Sequence, residues 1–232
     1  ALASDPDRIA RFPYLRGTTP GLDSLADEGV LFENAFVVYS LCSPARATML
    51  TGLHAHKHGI TDNKNPFPEN LDTYASILRE NGYVTGYFGK WHMGKQVERP
   101  GFMEVATYID QGAYTGSVFK DENGADYPTD NVTWVDDRTT AFALDFIDEQ
   151  VNAGQPFLAF VGYKSPHTPR NPPDRHEASY IGYSPEDVPN LEKTNGIVPP
   201  WDPNASQGAS LTDTRKYMQT VAGIDDNVEA LA

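Results

Sequence analysis

The sequence predicts an α/β fold, a layered and mostly parallel sheet flanked by helices. Segments patterned as helices and strands alternate along the chain, the pattern that builds such layers. One strand candidate, Phe157-Leu-Ala-Phe-Val161, is a continuous apolar run, as expected of a strand covered on both faces. The length, 232 residues with 39% apolar side chains, suffices for one sizeable core.

The elements follow in order. Thr19-Pro-Gly-Leu-Asp-Ser-Leu-Ala-Asp-Glu-Gly29 reads as a first short helix. Thr19 is placed to cap it, Pro20 suits the first turn, Leu22, Leu25 and Ala26 share a face, and Gly29 stops it. Residues 30–38 are predicted as a strand. Ser43 and Pro44 open a second helix that runs to Leu50 and ends at Gly52. Residues 73–81 read as a helix stopped by Gly82, with a strand over 83–89. The clearest amphipathic helix of this part spans 139–153, with Phe142, Phe146, Ile147 and Val151 on one stripe. At the end of the chain Tyr217, Val221, Ile224, Val228 and Leu231 step by four and three, marking a terminal helix. Long polar stretches at 54–70, 91–134 and 164–211 lie between these elements. The last is proline-rich, which suits a plain connector, but open α/β sheets place their sites beyond strand ends. No repeat and no composition break marks a domain boundary.

Eighteen Lys and Arg against 32 Asp and Glu give a net charge of −14. So negative a surface repels phosphate backbones and anionic lipids, which argues against nucleic-acid and membrane partners. An anionic substrate then needs a local positive site, from basic residues or a metal. No apolar run nears the roughly 20 residues of a membrane span, and no signal-peptide core is visible. The start at Ala1 fits a processed or truncated chain. A single cysteine, Cys42, excludes an internal disulfide framework and is either a packed thiol or a chemical group.

The most informative window is Leu41-Cys-Ser-Pro-Ala-Arg-Ala-Thr-Met-Leu-Thr-Gly52. Cys42 sits just before a helix whose first turn begins near Ser43 and Pro44, where unpaired backbone N–H groups and the positive end of the dipole lie. Arg46 follows one turn later and can return toward the same spot. An arginine beside a nucleophile suits a planar or tetrahedral oxyanion.

Cys42-Ser-Pro-Ala-Arg46, continuing to Leu50-Thr-Gly52, resembles the signature of the type I sulfatases, formylglycine-dependent members of the alkaline-phosphatase-like superfamily. Gly89-Lys-Trp-His-Met-Gly94 is similar to that family's GKWH block, and Lys164-Ser-Pro-His-Thr-Pro169 to its histidine loop. The run from Thr19 to Gly29 matches the usual lead-in. The resemblance spans nearly the whole chain, and implies that 1–232 is part of an N-terminal catalytic domain whose fold is here incomplete. It implies a sulfuric ester hydrolase in which a formylglycine-generating or sulfatase-maturating enzyme converts Cys42 to formylglycine. One hydroxyl of the hydrated aldehyde attacks sulfur, and the other then collapses to expel sulfate. Lys90 would hold a sulfate oxygen, His92 would handle the hydroxyl proton, His167 would face the leaving-group oxygen, and Arg46 would orient the formylglycine. Such enzymes work in a periplasm, a lysosome or outside the cell. Asn65-Pro-Phe-Pro-Glu-Asn70, Arg99-Pro-Gly-Phe102 and Gly112-Ala-Tyr114 are similar to the N-acetylglucosamine-6-sulfatase-like branch, which desulfates glycosaminoglycans or mucins, so a sulfated glycan is the expected substrate.

The departures concern the metal. The family holds a divalent cation, usually calcium, with an Asp-Asp pair near the amino terminus and a later Asp-Asn or Asp-His pair. Here no Asp-Asp pair precedes Cys42, and Asp5 and Asp7 straddle a proline. Asp225-Asp226-Asn227 falls inside the terminal helix and Asp136-Asp137 at a helix start, so both read as structural. Cys42, as formylglycine, is then the one residue expected to touch the metal. The stretch alone is expected to bind calcium weakly and to be inactive. His54, His56 and His58 alternate, but loop hydrogen bonding is the simpler reading. His176 either borders a substrate pocket or lies on the surface, and Trp91 reads as packing behind Lys90 and His92. Asn131-Val-Thr133 and Asn204-Ala-Ser206 match glycosylation sequons, which matter only in a eukaryotic secretory setting. Two alternatives stand beside the sulfatase: a phosphonate or phosphate monoester hydrolase of the same fold, and a non-catalytic carbohydrate-binding relative or inert fragment.

Overall fold

The computed structural model describes residues 19–32, 34–95, 99–128, 130–181 and 211–232. In chain order the described elements are α1 (Pro20–Glu28), α2 (Cys42–Thr51), α3 (Ala55–His58), α4 (Tyr74–Glu80), β1 (Val84–Lys90), β2 (Glu104–Tyr108), α5 (Val135–Ala153), β3 (Phe157–Gly162), a 3-10 turn (Asp174–His176) and α6 (Leu211–Leu231). Contacts gather in two units: Phe32–Lys164, and Ala1–Leu31 together with Ser165–Ala232.

In the unit Phe32–Lys164, β1 pairs in parallel with β2 on one side and β3 on the other. β1 is buried at every position after Val84, whereas β3 is half-buried over 157–161. The sequence expectation of a strand covered on both faces therefore holds for β1 rather than for β3. β3 is the outer strand of the described sheet, and one of its sides lacks a described neighbour. Tyr87 organises the core: its ring stacks on Phe160 at 4.6 Å and meets Trp91 and Phe102 edge-on at 5.2 and 5.1 Å. α5 covers the sheet with Phe146, whose ring lies 5.3 Å from Phe88 and 6.0 Å from Phe157. It begins at Val135, earlier than its apolar stripe, with Asp136 and Asp137 in the first turn where the dipole favours acids. Val151, assigned to the stripe, is 62% exposed. α4 is closed by a capping box in which Thr73 and Ser76 exchange side-chain-to-backbone bonds.

The strand expected over 30–38 does not form. The residues described there are exposed, Phe32 by 77% and Phe36 by 87%. A strand needs a neighbour to take its N–H and C=O groups, and none among the described residues pairs with it.

His58 is a core residue: 2% exposed, it takes a hydrogen bond from the Ile60 amide on Nδ1 (3.1 Å) and places Nε2 3.2 Å from the Thr48 hydroxyl. Burial, then the nearby His56 charge, lowers its pKa. The folded state thus keeps His58 neutral where the unfolded chain takes up a proton, near pH ~6.5. Its contribution is complete above that pH and declines as the solution is acidified. Stability of His58→Gln is expected to fall less steeply than wild type between pH 7 and 5 in urea unfolding. Parallel profiles would remove His58 as the cause. His54 and His56 stack on one another, exposed, 5.8 Å apart.

In the other unit α1 packs on α6. Thr19 makes no side-chain cap. Instead the Asp225 carboxylate accepts from the amides of Gly21 (3.0 Å) and Leu22 (2.8 Å), so the cap comes from 203–204 residues away in sequence. The contact needs a glycine, since a Cβ on Gly21 would sit 2.8 Å from the Asp225 carbonyl oxygen. Asp226 pairs with Arg175 at 2.5 Å and His176 at 2.8 Å. Burial pushes its pKa up, but those hydrogen bonds outweigh burial and hold it below the usual carboxylate value. Both aspartates are structural, as the sequence indicated, and His176 is engaged with Asp226. The stripe residues Val221, Ile224 and Val228 are half-buried, and Tyr217 is exposed.

Candidate active site

Cys42 is the first residue of α2, partly exposed, with Leu41 as an extended N-cap. The sequence placed it just before the helix; it is inside the first turn. The next residue fixes this end. The Ser43 amide donates to Asn63 Oδ1 at 3.0 Å, and the Ser43 hydroxyl donates to the His92 carbonyl. The GKWH segment is thereby tied to the start of α2.

Lys90 ends β1, where parallel strands deliver side chains to one edge of a sheet. It is 3% exposed, with Nζ 3.9 Å from Cys42 Sγ and 2.5 Å from Gln111 Oε1. Burial pushes the ammonium down to about 8; Cys42 offsets part of this, and Arg46 and Lys164 add to it. Trp91 is fully buried, with Arg99 4.8 Å over its ring and its indole N–H on the Met93 carbonyl, the packing role expected for it. His92 adopts φ +54° and is 8% exposed.

Arg46 does not turn back to Cys42 with its hydrogen bonds. Its Nη1 donates to the Lys90 carbonyl (2.6 Å) and the Tyr87 hydroxyl (3.2 Å), and its Nη2 to the Tyr163 carbonyl (3.4 Å). The Tyr87 hydroxyl donates to the same Lys90 carbonyl at 2.6 Å. The guanidinium therefore locks α2 to the ends of β1 and β3 and fixes Lys90 from behind.

Three neighbours of the site were given no role in it from sequence. Lys164, 5% exposed, donates its amide to Asp136 Oδ1 (2.7 Å) and its Nζ to the Gln111 carbonyl (3.0 Å), with Nζ 4.9 Å from the Tyr114 ring centre. Burial lowers its pKa and Asp136 opposes that. Lys164 lies inside the histidine-loop motif and Asp136 inside an Asp-Asp pair, so each carried a signal. Gln111 carried none. His167 belongs to the other unit, where its Nδ1 lies 2.5 Å from the Thr168 carbonyl. The structure thus joins Cys42, Lys90, Arg46 and the His92 backbone.

Position 42 fits a formylglycine: it is accessible, at a helix N-terminus and beside an ammonium. Calcium does not fit what is described. Among the described residues no group of three or more His, Cys, Asp or Glu could hold a metal ion.

The chain is similar to known proteins in sequence and in fold. The family model described as Sulfatase matches residues 3–232. N-acetylglucosamine-6-O-sulfatase of Bacteroides thetaiotaomicron is 32% identical over 165 residues, covering 68% of this chain and 28% of that protein. Arylsulfatase G of Mus musculus is 29% identical over 202 residues, covering 68% of this chain and 38% of that one. The chain thus spans about a third of the length of these curated relatives. The solved structure of BT4656 in complex with its substrate D-glucosamine-2-N,6-O-disulfate superposes with a TM-score of 0.74 at 23% identity, over 94% of this chain and 57% of that one. At that identity the likeness shows the shared fold, a parallel sheet flanked by helices.

Proposed function

Because this chain belongs to the sulfatase family, we propose that it supplies the sulfuryl-transfer centre of a hydrolase for sulfated carbohydrates, with Cys42 as the residue converted to formylglycine. The observation that supports it most directly is the approach of Lys90 Nζ, from the end of β1, to Cys42 Sγ at the N-terminus of α2, 3.9 Å apart. Formylglycine chemistry supplies an oxygen nucleophile and a built-in route for releasing sulfate. The chain's own residues do the rest. Lys90 presents an ammonium to a sulfate oxygen, and the amides at the start of α2 add partial positive charge beside it. Arg46 and Tyr87 hold the Lys90 main chain, so the ammonium is aimed before substrate arrives. In this reading His92 takes the nucleophile's proton and His167 serves the leaving-group oxygen. Calcium is expected from the family, but the described residues do not form its oxygen cage and no step is derived through it.

The carbohydrate part of the proposal rests on the relative named an N-acetylglucosamine-6-O-sulfatase and on the sugar disulfate that BT4656 binds. A maturating enzyme is the implied protein partner, and a periplasmic, secreted or lysosomal setting the implied location. No described helix is long and apolar enough to cross a membrane. The test is the full-length protein, produced with a maturating enzyme. Intact mass should show the Cys42 thiol replaced by an aldehyde, and sulfated sugar should be turned over well ahead of a matched phosphonate ester. Converted protein that hydrolyses phosphonate and not sulfate would overturn the reading.

A further inference from the structure

Beside Cys42 the fold buries more positive charge than the nucleophile's neighbour Lys90 accounts for. Lys164 is as deeply buried as Lys90, at 5% and 3% exposure, and Arg46 lies between the strand ends. Buried ammonium groups are costly unless paired. The nearby buried carboxylate, Asp136, takes a hydrogen bond from the Lys164 backbone amide and not from its Nζ. That Nζ points instead to the Gln111 carbonyl at 3.0 Å, while Lys90 Nζ meets Oε1 of the same glutamine. One residue therefore holds both ammonium groups. Its neighbours Asp110 (φ +57°) and Gly112 (φ +61°) both take the left-handed backbone, and in the turn between them main-chain and side-chain oxygens of Gln111 serve different lysines. Each ammonium has three donors, and Lys164 Nζ uses one on Gln111.

We propose that Lys164 is a second anion-binding residue of this centre, and that Gln111 is the positioning residue that holds Lys164 and Lys90 toward one tetrahedral oxyanion. The proposal rests on the reading of Cys42 and Lys90 as a sulfuryl site. Asp136 offsets part of the Lys164 charge, but the acceptor that both ammonium groups share is neutral, so the pair keeps a net positive charge that an anion completes. A carboxylate in place of Gln111 would cancel one of the two charges.

The test uses the full-length protein with Cys42 unconverted, and inorganic sulfate as the probe in calorimetric titration. Lys164→Met should weaken sulfate binding about tenfold, the effect of losing one charge-assisted hydrogen bond, and Lys164→Arg should recover most of it. Gln111→Glu keeps the shape, the side-chain contact to Lys90 and the main-chain contact to Lys164 while cancelling one of the pair's two charges, and should weaken sulfate binding by about the same factor without lowering the unfolding midpoint. In converted enzyme Gln111→Glu should raise KM for the sulfate ester more than it lowers kcat. If Lys164→Met fails to fold, Gln111→Glu decides alone. Wild-type sulfate affinity in Gln111→Glu, or in folded Lys164→Met, overturns the proposal. Lys90→Met is the control, since unchanged affinity there would sink the sulfuryl site itself, whereas loss there alone would sink only the role of Lys164.

Discussion

Replacing Cys42 with alanine is expected to abolish sulfate-ester hydrolysis in the full-length protein, and replacing it with serine is expected to leave a protein that becomes sulfated and stalls. Alanine at position 42 cannot become formylglycine and offers no nucleophile, so the loss should reach about four orders of magnitude or more. Serine keeps one hydroxyl in the same place, with Lys90 Nζ still nearby to hold the anion. It lacks the second oxygen that would expel sulfate, so attack is followed by no release. The fold should survive both changes, because Cys42 is partly exposed and Ser43 carries the hydrogen bonds that anchor this end of α2. Intact-mass spectrometry after incubation with substrate should find a stable sulfate adduct on the serine variant alone. Full turnover in either variant would end the formylglycine reading.

Signals that act within a turn were legible. Gly52 ends α2 in the left-handed conformation, Thr73 caps α4, and the pattern over 83–89 became β1 almost residue for residue. Signals that need a distant partner were not. Thr19 had the chemistry of a cap, yet the helix amides went to Asp225, because a buried carboxylate on the packed helix offers both oxygens where a local hydroxyl offers one. Residues 30–38 had the composition of a strand but find no described neighbour to complete its ladder. At the site the motifs named Cys42, Arg46, Lys90, His92 and His167, and the structure brings Cys42, Arg46 and Lys90 together. Arg46 proved to be a brace for β1 and β3, since its guanidinium meets strand-end carbonyls. Gln111 was invisible in sequence because its importance comes from where the chain turns after β2, and no residue type signals that.

Gly89→Ala should be strongly damaging, and for a reason that joins fold to site. Gly89 has φ +94°, which a side chain tolerates poorly, and a Cβ there would lie 2.3 Å from the Gly162 carbonyl oxygen. That oxygen is backbone of the paired strand and cannot swing aside. Thr139 Cγ2, at 2.7 Å, closes the other direction. Backbone strain of ~1–3 kcal/mol and overpacking of ~1–3 kcal/mol combine to a cost of about 4 kcal/mol, a large share of a typical domain's ~5–15 kcal/mol. Any relaxation must part β1 from β3 beside Lys90, so the ammonium moves away from Cys42 as the clash is relieved. Gly162→Ala is the comparison: its Cβ would meet Arg46 Nη1 and the Lys90 carbonyl at 3.0 Å, close contacts that small shifts accommodate. Urea unfolding should give Gly89→Ala a much lower midpoint than Gly162→Ala, and titration should show sulfate binding lost in the first and only weakened in the second. Equal midpoints would mean that the strand ends yield more readily than their packing indicates, and that Lys90 is not held in place by the close approach of β1 to β3.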